Sequence, residues 1–466
     1  MSDAVATYGL SATNTPVQNR DALNKAIVYA ANREVYIAPG IYPISPLTIS
    51  TPGTHLRLAS GVILQVAPDT KYHPSLINIA ANNVTIEGGE FDGSGIVGAY
   101  GIMAIRITGS ASNITIRNCV VRNTSIGIGA YNVVNCSNWV IEGCTVDTTV
   151  SGHGIFLHGN PTQNHSTTSV RLTSNVVRGA KGNGILVGNK FNDVTISGNQ
   201  LYDVGRMGIE VWRNPTGRFV IADNIIKECA SFGISIAGTP HTICANNIVA
   251  YATGFGIEVA DSHHVVLVGN HIDTVQIKPG GVKPTGISLN SLSSYELDGI
   301  SIQGGTITGC VAAINICGGK GARRNISIAG VAINDCTYGI RNVGIVGQND
   351  GGGMVEDFTI NNCAIGVTDV GIGNSLYGGL MRGGVISGNN IHVSEGHGID
   401  LFRPAEMLIA GNRIRGEDTE KSIGIRVWDH TGGTLRAADI MVKNNHVVHL
   451  ESPHSYTGVD GQVRGD

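Results

Sequence analysis

Along most of the chain, short runs rich in Val, Ile and Thr place an apolar residue at every second position, and Gly or Asn separates one run from the next. Period-2 alternation of β-branched residues marks strands with one buried face. Helical repeats would need a 3.6-residue period over ~10 residues in each unit, which is missing here. The pattern also recurs. A Gly-Ile pair followed by alternating residues stands at Gly101, Gly127, Gly154, Gly184, Gly208, Gly233, Gly256, Gly286, Gly339, Gly398 and Gly424, with Ala313-Ile314 filling one gap. From Gly101 to Gly286 the steps are 26, 27, 30, 24, 25, 23 and 30 residues, a period in the range of stacked solenoids.

A second ladder keeps phase with the first, at the end of a β-branched segment: Cys119, Cys144, Asn175, Asn199, Asn224, Asn247, Asn270, Gly305, Val331, Cys363, Asn389, Asn412 and Asn445. Asparagine suits a turn because its short amide tolerates left-handed backbone and bonds locally. Stacked on successive turns, such amides can also bond one another. Cys in place of Asn puts the position inside, since thiols are small and usually buried. The pattern therefore predicts an all-β fold, a parallel β-helix of about thirteen rungs, one per repeat.

Composition narrows the class. The 65 glycines among 466 residues are roughly twice ordinary usage. With 42% apolar residues and only 14% charged, the chain has material for a large core, and disorder is excluded. No stretch approaches the ~18 apolar residues of a membrane span. A net charge of −4 offers no general attraction to nucleic acid or an anionic membrane. The opening Met1–Leu10 lacks the basic and apolar regions of a signal peptide, so the chain is expected to be intracellular or already processed. Nine cysteines without CxxC spacing argue against a disulfide framework, and with no His cluster apparent they argue against a zinc site. Buried free thiols are expected.

The open end of a solenoid needs a cover. Arg20–Asn32 reads as an amphipathic helix burying Leu23, Ala26, Ile27 and Ala30. The expected organisation is an N-terminal cap over 1–45, a β-helix over 46–450 and a C-terminal tail over 451–466. The helix followed by Val35-Tyr36-Ile37-Ala38-Pro39-Gly40-Ile41-Tyr42-Pro43-Ile44, then coils of this kind, resembles the N-terminal signature of the pectate-lyase-like right-handed β-helix superfamily. The resemblance covers nearly the whole chain. It implies a carbohydrate-active protein, since that group includes polysaccharide lyases, glycoside hydrolases, alginate epimerases and phage tailspikes. The acidic run common in the signature is replaced here by Ser11-Ala12-Thr13-Asn14-Thr15.

Loop lengths suggest a cleft. From Gly-Ile to the second ladder the distances are 21, 15, 16, 14, 14 and 19 residues for the rungs opening at Gly154 through Gly286. Four short rungs thus lie between long ones, and loops 160–169 and 291–298 would wall a trough, with 278–285 as a further lip. Loops gathered on one face of a solenoid mark a binding face. In each Gly-Ile-x-φ-x the Ile points inward, so the second and fourth residues after Gly point outward. The outward pairs include Phe156 and His158, Leu186 and Gly188, Glu210 and Trp212, Ser235 and Ala237, Glu258 and Ala260, and Ser288 and Asn290.

Glu210 and Glu258 lie two rungs apart, ~9.6 Å at ~4.8 Å per rung, with the small Ser235 and Ala237 between them. Two carboxylates across such a gap are the minimum for glycosidic cleavage, one protonating the leaving oxygen and one activating water, and the spacing favours inversion. Trp212 offers an apolar face for a sugar ring. His158, Lys190, Arg213, Ser235, Asp261, His263 and Asn290 are expected to line the site, with no cofactor. A second chemistry is β-elimination on a uronic-acid polymer, with Lys190 and Arg213 as base and charge neutraliser. Their placement resembles the Lys and Arg pair of alginate and chondroitin lyases, which implies Ca²⁺, yet no acidic ligands stand in Gly184–Asn189. The Gly-His-Gly strings at 152–154 and 396–398 overlap the repeat, and no Asn-Thr-Asp, Asp-Asp or Asp-Pro-His accompanies them, against polygalacturonases and alginate epimerases. A non-catalytic glycan-binding or tailspike-like fibre, monomeric or homotrimeric, is the third expectation.

Overall fold

A computed structural model describes residues 2–30, 32–67, 75–94, 102–147, 149, 151–164, 166–277, 283–291, 296–318, 321, 323–344, 355–374, 381–417, 423–428, 438–448, 452–457 and 464–465. Gly101, most of loop 278–285 and residues 292–295 of the other wall lie outside these. The chain winds through about thirteen turns of parallel β-solenoid. It divides into two compact units, Met1–Ala230 and Ser231–Asp466.

The first unit opens with the helices Ala4–Tyr8 and Pro16–Ala30. The longer one buries Asn19, Ala22, Leu23, Ala26, Ile27 and Ala30, including all four residues expected to do so. Beyond it each turn contributes short strands that pair in parallel with their equivalents on the next turn. Ile155–Gly159, for example, pairs with Ile185–Gly188, which pairs with Ile209–Trp212. The inward positions of these strands, Ile155, Leu157, Ile185, Val187, Ile209 and Val211, are fully buried.

The Gly-Ile glycines are required by how closely one turn lies on the next. A Cβ on Gly154 would sit 2.6 Å from the Gly184 carbonyl oxygen and 2.4 Å from Val177 Cγ1, closer than atoms can approach. The asparagine ladder forms as a chain of amides. Asn175 Nδ2 donates to Asn199 Oδ1 at 3.0 Å, and Asn199 Nδ2 to Asn224 Oδ1 at 2.9 Å. Backbone N–H groups of Cys144, Asn175 and Asn199 donate to the same series of oxygens. Cys119 and Cys144 are buried, as the substitution pattern requires.

The second unit repeats this construction, with the ladder continuing at Asn247 to Asn270 and at Asn389 to Asn412 to Asn445. Parallel pairing runs past Leu450: Ser452–Thr457 lies against Ile423–Trp428, so strand structure extends into the segment read as a tail. All nine cysteines are free, eight of them buried and Cys317 half-buried. Among the described residues no helix is long and apolar enough to cross a membrane.

Candidate functional site

In the first unit, stacking turns outward residues into columns. One column is Tyr131, His158, Gly188 and Trp212, and the column beside it is Gly129, Phe156, Leu186 and Glu210. Two strand spacings amount to ~9.6 Å, yet the His158 and Trp212 rings lie 6.5 Å apart. Gly188 between them has no side chain, and the Trp212 ring leans over it: a Cβ there would be 3.5 Å from Trp212 Cε3. Further rings extend the strip, with Tyr131 to His158 at 5.4 Å, Phe156 to His158 at 5.6 Å and His153 to Phe156 at 4.9 Å. Tyr131 is 46% exposed. Trp212 is half-buried on the outer surface as expected, and the Arg213 guanidinium carbon lies 4.5 Å from its ring centroid.

Glu210 sits at the edge of this strip. Leu186 precedes it in its column, and burial raises its carboxyl above the usual range despite a hydrogen bond from Asn183 Nδ2 and the nearby charge of Arg206. Asn183 is fully buried, and its Oδ1 accepts from Met207 N at 3.3 Å, which fixes the amide that meets Glu210. His153 accepts from Asn183 N at 3.0 Å, and burial, helped by Arg206, depresses it to about 4. His158, held by Asn189, is also lowered by burial. Both imidazoles are therefore neutral near pH 7. Lys190 and Arg213 occupy successive turns, Lys190 N donating to Arg213 O at 3.3 Å.

The remaining candidates belong to the second unit, where the outward positions expected to form an open floor are buried. Ser235 is 2% exposed, Glu258 6% and Asn290 6%. Ser235 Oγ donates to Glu258 Oε2 at 2.8 Å, Asn290 Nδ2 donates to Glu258 Oε1 at 2.9 Å, and Ser288 Oγ donates to Asn290 Oδ1 at 2.9 Å. Outward on a strand is thus not the same as open to solvent. Here the polar side chains satisfy one another sideways across turns, as burial demands. Asp261 is half-buried in the turn that follows. His263 is exposed beside His241 and His264, a histidine cluster that the sequence reading did not contain.

A cleft of about 230 Å³ in the second unit was also missed. Asp400, 7% exposed, accepts from Arg426 Nε at 2.7 Å, Arg426 Nη2 at 2.6 Å and Trp428 Nε1 at 2.8 Å. Asp369, Tyr338, Arg341 and His397 also line it. Burial, then Asp369, raises the Tyr338 hydroxyl, while burial and Arg426 lower His397. The signal was available: the second and fourth residues after Gly398 and Gly424 are Asp400 and Phe402, and Arg426 and Trp428.

No curated protein sequence matches this chain. Among solved structures it is similar to the tailspike protein of E. coli bacteriophage HK620, a mutant in complex with a pentasaccharide (TM-score 0.59, 11% identity, 95% of this chain and 80% of that one). It is likewise similar to the pre-mature gene product 12 of bacteriophage phi29 (0.57, 14%, 99% and 73%). A third is the DFA-IIIase of Arthrobacter chlorophenolicus A6 in complex with GF2 (0.50, 12%, 77% and 93%). At these identities the likeness is one of fold. The family model described as "Right handed beta helix region" matches residues 70–201 and 163–330, more than half of the sequence, and the chain belongs to that family.

Proposed function

We propose that the protein is carbohydrate-active and cleaves glycosidic bonds of a polysaccharide or oligosaccharide, with the strip Tyr131, Phe156, His158 and Trp212 as the surface on which sugar rings stack and Glu210 as the general acid. The observation that carries this reading is the desolvated Glu210 carboxyl beside a strip of half-buried aromatic faces that opens at the exposed Tyr131. Aromatic rings take the apolar faces of sugars, and a carboxyl raised by burial keeps its proton to higher pH than a free glutamate, as suits a general acid. Arg206 and Asn183 then favour the carboxylate once the proton has left. The pentasaccharide and GF2 complexes of the fold neighbours agree with a glycan ligand.

Hydrolysis also requires a second carboxylate; both oxygens of Glu258, the partner expected from sequence, are taken up by Ser235 and Asn290.

One second reading has an observation of its own. Lys190 and Arg213 on successive turns add to Arg206 in giving the strip a cationic border, which favours an acidic glycan and β-elimination. Incubation with a panel of neutral and acidic polysaccharides separates the readings. New reducing ends without absorbance from unsaturated uronic products support hydrolysis, and both together support elimination. Binding without either product supports a glycan-binding fibre. Under hydrolysis, Glu210→Gln lowers kcat by about 10²–10⁴-fold with no fall in melting temperature; full activity in that variant would sink the assignment.

A further inference from the structure

Three imidazoles from two successive turns meet on the surface of the second unit. His241 and His264 occupy left-handed turn positions with φ of 52° and 53°, and His241 N donates to His263 O at 3.1 Å, which locks the two turns together. Their rings lie parallel, 5.0 Å apart with 3° between planes. A stacked pair alone is what a solenoid makes whenever one residue type recurs at one position. His263 departs from that. Its ring stands at 88° to His241 and 85° to His264, at 5.4 and 5.0 Å, so that the three close a triangle. His263 Nδ1 and His264 Nδ1 are 2.9 Å apart, and one ligand nitrogen from each residue falls within 4.8 Å of the others.

We propose that His241, His263 and His264 form a binding site for a divalent transition metal of the zinc, nickel and copper class. Imidazole nitrogens suit these ions, whereas Ca²⁺ and Mg²⁺ demand oxygen ligands. Metal–nitrogen bonds of ~2.0–2.1 Å in tetrahedral geometry place ligand nitrogens ~3.4 Å apart. The closest pair is already nearer than that, and the others close the gap by rotating side chains that are all exposed. Asp298 supplies the nearby anion. It pairs with His263 through the backbone, its carbonyl accepts from His264 N at 2.8 Å, and Asn325 Nδ2 holds its Oδ1 at 2.7 Å. A nearby negative charge favours a bound cation. Three protein ligands leave a fourth position for water, and binding across two turns would staple them.

The test uses the full chain stripped with EDTA and titrated with ZnCl₂ by calorimetry. The expected result is one zinc per chain, a rise in melting temperature of about 5–10 °C at 100-fold excess over Kd, and Cu²⁺ substitution giving an electron paramagnetic resonance spectrum with nitrogen ligands. His241→Asn and His264→Asn keep a residue tolerant of left-handed backbone and should each weaken zinc at least 10-fold; His263→Gln should do the same without touching either strained position. Absence of stoichiometric binding by Zn²⁺, Ni²⁺ and Cu²⁺, or unchanged zinc affinity in the His241→Asn/His264→Asn double variant, would overturn the site. Because the readouts are metal binding and melting, failure here leaves the glycan reading untouched.

Discussion

Removing one rung of the buried amide ladder tests what holds successive turns in register beneath the aromatic strip. Asn199 lies in the turn whose strand Ile185–Gly188 separates the strand of His158 from that of Trp212. Its Oδ1 accepts from Asn175 N at 2.9 Å and Asn175 Nδ2 at 3.0 Å, and its Nδ2 donates to Leu172 O and Asn224 Oδ1, each at 2.9 Å. Asn199→Ala withdraws the acceptor from two buried N–H groups. At about 1–3 kcal/mol for each orphaned group, the loss is about 2–6 kcal/mol. With ~2–4 °C per kcal/mol for a unit of this length, a central value of ~4 kcal/mol lowers the melting temperature by roughly 8–16 °C. The structure contains its own control. Asn113 makes the same kind of amide stack, donating to Asn83 at 2.8 Å and accepting from Asn138 at 2.9 Å, but exposed to water. Asn113→Gly, which suits its φ of 59°, should cost within about 1 kcal/mol because water replaces each lost bond. Scanning calorimetry of the two variants decides the matter. Equal shifts in both would refute the claim that burial, rather than amide stacking itself, gives the ladder its strength.

Three further outcomes follow from the same geometry. Glu210→Gln should change the pH dependence of stability: the raised folded carboxyl costs nothing below the unfolded glutamate value of about 4.3, and its cost grows as pH rises through the folded value, so the variant gains on wild type toward neutral pH. Parallel melts at pH 3.5 and 7 check this, and an equal offset at both would contradict it. Trp212→Ala should weaken glycan binding by about 1–2 kcal/mol, roughly 5–30-fold, while sparing the fold of a half-buried position; unchanged affinity by calorimetry would remove Trp212 from the platform. Asp400→Asn breaks a two-point bond to Arg426 that is only partly open to water and should cost about 1–3 kcal/mol, read as a shifted denaturation midpoint with an unchanged slope.

Much of this architecture was legible because a solenoid superimposes its repeats. Gly-Ile marks the same place on every turn, where Gly154 meets the backbone of Gly184, so register follows from counting. Alternation then placed Glu210, Trp212 and His158 on the outer surface. Solvent access was not legible, since it depends on what lies over a strand. Ser235, Glu258 and Asn290 have the outward phase yet are buried and bonded to each other. Asn183 escaped notice because it precedes a Gly-Ile pair rather than following one, and only the fold brings its amide to Glu210. The histidine triangle is not visible along the chain because one of its members comes from the preceding turn. His241 and His264 lie 23 residues apart, which is one turn.

The columns themselves sort structure from chemistry. A residue repeated at one position meets its own kind on the next turn, and for asparagine that meeting is complementary: amide donor to amide oxygen, with every group satisfied. The column Gly129, Phe156, Leu186, Glu210 differs, because a carboxylate follows apolar neighbours and is desolvated by burial. A further apolar residue would continue the column and bury no charge, but it would leave the buried Asn183 amide without its acceptor. Buried groups that work against stability are retained where chemistry uses them. On this physical ground, rather than on any likeness to another protein, Glu210 is the residue on which the catalytic proposal rests.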